Sequence, residues 1–284
     1  MRSFRPKDMR HARLELLAAL AAVIIAGCHS SDDSSPSTLG LKTSELQISS
    51  SLLATDDVTV FALASFWSQA VYDRDGDGTV ALGEGDTLTA CVGNVCQPMV
   101  RRQTDATYKP YEASLPYVAE TIYTISFSRR DDVSAPNTTT TMPVPFTILT
   151  PPTGLAVADG QTIAVLWSPS GIERDTSGNV TAYCDHASGE QTRRGLILFF
   201  HSPDPGSATV NMDQLMSRRA SLTDNVNLPA REPVDPRVVG CRIEIEVSMV
   251  RQGIPDSAFS QGFASSASSG LVRTVSLQYT PSQR

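Results

Sequence analysis

The chain has 284 residues, 23 of them basic and 30 acidic, for a formal net charge of −7. That balance excludes the basic footprint by which proteins grip nucleic acid. Only 6% of residues are aromatic, which also argues against a long row of exposed rings on one face.

The basic residues crowd the N-terminus, where Arg2, Arg5, Lys7, Arg10 and Arg13 precede an apolar run from Leu14 to Ala26 broken only by Glu15. A spanning helix needs roughly 20 apolar residues, more than this run supplies. A cationic front with a short apolar core reads instead as a secretory signal peptide, residues 1–27. It ends on Ile25-Ala26-Gly27-Cys28, which resembles the lipobox of bacterial lipoproteins. The resemblance implies that Cys28 carries a diacylglyceryl group, that cleavage falls just before it, and that the new amino end is acylated. Several acyl chains hold a protein stably where one holds it marginally. His29 stands where many such lipoproteins have an inner-membrane retention aspartate, so the resemblance points to the outer membrane. Removing residues 1–27 leaves 18 basic against 28 acidic residues, a net −10.

Residues 28–41, rich in Ser, Asp, Pro and Gly, read as a flexible tether with little to bury. Beyond them the chain reads as all-β: turn residues recur at short spacing and β-branched runs alternate with polar ones. Residues 42–150 are expected to form a first sandwich. Its stretch "FALASFWSQAVY", Phe61 to Tyr72, fits either a helix or a strand.

"DRDGDGTVALGE", Asp73 to Glu84, follows and resembles the calcium loop of EF-hands. The resemblance implies carboxylates from Asp73, Asp75 and Asp77, a backbone carbonyl from Thr79 and a bidentate carboxylate from Glu84, with Gly78 at the sharp turn. Closely spaced aspartates repel unless a cation sits among them, which gives Ca2+ a physical reason to bind. Gly83 and Gly85 flank Glu84 where a helix should begin, so the segment reads as a calcium loop inserted between strands. An ordinary solvated Asp-Gly turn is the competing reading.

"ACVGNVC" then reads as a hairpin with Gly93-Asn94 at a two-residue primed turn. Cys91 and Cys96 become a non-hydrogen-bonded pair with Cα atoms about 4.5 Å apart, inside the roughly 4.4–6.8 Å that a disulfide accepts. In "TIYTISFSR", Tyr123, Ile125 and Phe127 share one face, and "SRRDD", Ser128 to Asp132, reads as a solvated loop.

A boundary is expected at "TILTPPTGL", since paired prolines cannot continue a central strand. The restart at residue 151 resembles the opening of fibronectin type III domains, with Ile163, Val165 and Trp167 on one face. Residues 151–284 should thus form a second sandwich, with a large loop over Ser202 to Val238 and a short helix near Asp213 to Arg219. In "CRIEIEVSMV", Cys241, Ile243, Ile245, Val247 and Met249 share the buried face. Cys184 and Cys241 remain for each other and close a loop of 57 residues, worth about 4 kcal/mol in the chain-entropy model. "GDTLTACVGN" and "CRIEIEVSMVRQGIPDSAF" make the chain similar to uncharacterised proteobacterial lipoproteins with Ig-like domains, which implies fold and location only.

No nucleophile elbow, zinc-protease helix or phosphate loop is present. Cys184, Asp185 and His186 lie together, but Cys184 has a bridge partner available. The expectation is therefore no enzyme, but an outer-membrane lipoprotein held by its N-terminal lipid and binding an unknown protein or glycan, in adhesion or envelope scaffolding. The alternative is a carbohydrate-binding or accessory module in which Trp67, Tyr72 and the acidic loop form a sugar site.

Overall fold

A computed structural model describes residues 36–102, 110–171, 175–216, 238–261 and 265–281, without the side chains of Asp75 and residues 193–200. The signal peptide, Cys28 and the start of the tether lie outside the described residues. The first half supplies β1 (Gln47–Ala54), β2 (Thr59–Trp67), the helix α1 (Gln69–Asp75), β3 (Thr79–Val80), β4 (Thr87–Val92) and β5 (Val95–Pro98). It continues with β6 (Val100–Arg101), β7 (Tyr111–Pro116), β8 (Ile122–Ser128), β9 (Ala135–Thr141) and β10 (Thr147–Thr150). The second half adds β11 (Ala156–Val157), β12 (Thr162–Ser168), β13 (Asp175–His186), β14 (Gln191–His201) and β15 (Ser207–Asn211). After them come the helix α2 (Met212–Met216) and the long strands β16 (Val238–Gln252) and β17 (Ser266–Tyr279).

The expected alternation holds strand by strand, because a period of two turns every second side chain inward. Tyr123, Ile125 and Phe127 of β8 are buried, as are Ile163, Val165 and Trp167 of β12 and all five inward residues of β16. "FALASFW" is strand and "QAVYDRD" is helix, so the ambiguous stretch divides between the two.

These strands build an all-β sandwich from a large sheet faced by two smaller ones. The large sheet runs β14-β13-β16-β17-β1-β2-β7-β6, with β11 added to β17 and β3 to β2. The smaller sheets are β5-β4-β8-β9 and β10-β12-β15. β17 lies between β16, to which it is antiparallel, and β1, to which it is parallel with Ser49 opposite Ser266.

The sheet therefore crosses the boundary expected at residue 150. Residues 36–284 cluster as one compact unit instead of dividing into 42–150 and 151–284. The paired prolines end β10, but pairing in the large sheet is decided by β17, over a hundred residues later. Phe259, just past β16, completes the aromatic core of the first half: its ring lies 6.0 Å from Phe66 and stacks on Phe127 at 5.9 Å. Asp256 accepts hydrogen bonds from the Asn137 and Ala258 backbones, which holds this excursion against β9.

Two further expectations change. Residues 36–41 are not free tether: Thr38 is fully buried, and Ser37 bridges Ala81. The expected loop from Ser202 contains β15 and α2, and its helix runs Met212–Met216, with residues 217–237 outside the described ones.

Candidate functional site

The acidic segment folds as the end of a helix and a turn. α1 stops at Gly76, whose left-handed φ of 74° lets its N–H reach the Tyr72 carbonyl at 2.8 Å. Asp73 and Asp75 therefore sit on the helix. The Asp73 carboxylate accepts from Gln69 Nε2 at 2.7 Å. Asp77 accepts from the Thr79 N–H at 3.0 Å, and the Thr79 hydroxyl and backbone hold its carboxyl below the ordinary range. Glu84 is exposed in a turn with Gly85. Among the described residues no group of three or more His, Cys, Asp or Glu is placed to hold a metal ion.

Gly78 has a reason independent of calcium. A Cβ there would fall 1.9 Å from Trp67 Nε1. The glycine lets the indole lie on the backbone, and its φ is outside the left-handed region. Trp67 is half-buried, and the Tyr72 ring, 49% exposed, lies 5.8 Å from it.

The four remaining cysteines are staples. Cys91–Cys96 joins β4 to β5 with Val92 opposite Val95 inside it, as the hairpin reading requires, and its Cα atoms are 4.1 Å apart, closer than the expected separation of about 4.5 Å. Cys184–Cys241 joins adjacent strands β13 and β16, with Cα atoms 4.0 Å apart. Alternation separates the neighbouring polar pair. His186 turns inward, its Nε2 sharing a hydrogen with Thr192 Oγ1 at 2.6 Å, while Asp185 turns out.

Residues 128–132, expected to be solvated, hold a buried cation. The Arg129 side chain is 4% exposed and pairs with Asp86 and Asp132, each at 3.3 Å. Its guanidinium also donates to the carbonyls of Thr38 and Leu41, both at 2.8 Å. Asp132 in turn accepts from the Thr43 N–H. The cluster clamps residues 38–43 onto the first half of the fold. The sequence signal was faint: two arginines and two aspartates in a loop look the same buried or wet.

A groove of about 640 Å3 opens over the Cys184–Cys241 bridge. Tyr183 and Asp185 of β13 and Gly240 and Arg242 of β16 line it, with Gln191 and Gln278. Sequence reading missed it, although alternation around the two cysteines does place all four of their neighbours on the outer face.

No protein-family profile matches the chain, and no curated protein matches it. Two solved structures titled as cytokine receptor complexes are similar at 13% and 11% identity. They cover 80% and 78% of this chain, and 94% and 98% of theirs, with TM-scores of 0.26 and 0.25. Such scores carry no argument, so the fold rests on the strands themselves. Among the described residues no helix is long and apolar enough to cross a membrane.

Proposed function

We propose that the protein is a lipoprotein anchored through Cys28 in the outer membrane, with a β-sandwich body that acts as a binding, adhesion or scaffold module and not as an enzyme. The cysteine pairing carries this reading. Two disulfides use four of the five cysteines and leave Cys28 single at the end of the apolar run. Disulfides persist in oxidising compartments, which suits an exported chain. Calcium uptake by Asp73, Asp75, Asp77, Thr79 and Glu84 belongs to the same proposal and is supported by the sequence pattern alone. A second reading, a carbohydrate-binding accessory module, is favoured by the Trp67–Tyr72 pair beside the acidic segment.

The anchor is tested by Cys28→Ser. The variant should accumulate as uncleaved precursor and take up no labelled palmitate. Processing and labelling equal to the parent would refute the anchor.

A further inference from the structure

Every residue flanking the Cys184–Cys241 bridge faces the groove. Register sets Tyr183 beside Arg242 and Asp185 beside Gly240, and Arg242 lies opposite Gln278 on the next strand. The bridge thus ties together, directly beneath the groove, β13 and β16, the two central strands of the four that line it. Lining residues held in place before a ligand arrives lower the ordering cost of binding.

Gly240 forms the gap. It sits in a long strand, where glycine is unfavourable unless a bulge or a close approach calls for it. A β-bulge does lie beside it, where the register slips between Asp185 and His186. Yet its φ is not left-handed, and a Cβ would meet only the Tyr279 carbonyl, at an ordinary 3.5 Å. Packing would admit a side chain; its absence leaves the floor open.

The lining selects the ligand chemistry. Arg242 stacks over Tyr183 at 4.9 Å and pairs with the Glu244 carboxylate. Asp185 accepts from Gln191 Nε2 at 2.8 Å. Among these lining residues Asp185 repels an anion and the Arg242 guanidinium repels a cation. A neutral polyol can donate to Asp185 and accept from Arg242 and the glutamine amides. Tyr183, 36% exposed, adds an apolar surface with a polar tip. The volume lies within the range of about 300–1,000 Å3 common to small-molecule sites.

We propose that this groove binds a neutral saccharide, an inference that rests on the binding-module reading and places the site away from Trp67. Full-length protein in detergent is titrated calorimetrically with neutral hexasaccharides of glucose, mannose and N-acetylglucosamine, and with inorganic phosphate. At least one hexasaccharide should bind saturably, and phosphate should not. Gly240→Leu fills the floor and should weaken binding about tenfold or more, with the melting temperature unchanged; Arg242→Ala should act the same way. Failure of all three sugars, binding that survives Gly240→Leu, or a preference for phosphate overturns the proposal. So does a loss that follows Tyr72→Ala instead of Gly240→Leu. None of these outcomes alters palmitate labelling at Cys28, so the anchor stands or falls separately.

Discussion

A buried guanidinium is tolerated only when carboxylates and carbonyls replace its lost water. Arg129 has two carboxylates and two carbonyls around it, and its ring-facing side lies 5.6 Å from the Phe127 centroid. Its Nε faces Asp86 without making a hydrogen bond. Removing one member of such a cluster leaves uncompensated buried charge. Arg129→Ala should therefore cost about 3–5 kcal/mol in urea unfolding. Arg129→Lys should recover only part, since an ammonium cannot fork to separate acceptors. The cluster also carries a pH signature. The Thr43 N–H, then the Val133 N–H, hold the Asp132 carboxyl below its usual 3.8. A depressed carboxylate contributes stability that is complete above the unfolded value and is lost as pH falls through the folded one. The Thr43 amide resonance should accordingly titrate with a midpoint below 3.8. A midpoint above that value contradicts the clamp.

The elements best read from sequence are those whose information is local. The pattern of β8 and β16 names the buried face outright, and Gly93-Asn94 fixes the Cys91–Cys96 register through a turn. The acidic segment was less legible because one string of residues satisfies two physical demands. Its glycines serve a calcium loop equally well as they serve the end of α1 at Gly76 and the close approach of Trp67 at Gly78. The groove was unread because alternation marks Tyr183, Asp185 and Arg242 as outward without saying that they converge. The calcium proposal is decided by melting. A hundredfold excess over Kd should stabilise the parent by about 2.7 kcal/mol through mass action. Magnesium should do less, and Asp73→Ala with Asp77→Ala should abolish the response. Equal melting in calcium and in chelator leaves Asp73 to Glu84 as a helix end and turn.

Alternation gives faces and never partners. The parallel pairing of β1 with β17 joins segments from opposite ends of the chain, and nothing near Ser49 or Ser266 signals it. The insertion of Phe259 into the first half's core has the same non-local character. Fully burying such a ring is worth about 1.5–3 kcal/mol, so the first half lacks part of its core without the second. Residues 36–284 form one body with a shared sheet, and the protein's two tryptophans, Trp67 and Trp167, report on opposite sides of residue 150. Trp167→Phe and Trp67→Phe leave one reporter each. In urea, each variant's fluorescence transition should coincide with its own far-ultraviolet circular dichroism transition. A fluorescence transition displaced from the circular dichroism transition in either variant, with a stable plateau between them, would mean two independently folding halves and would contradict the shared sheet.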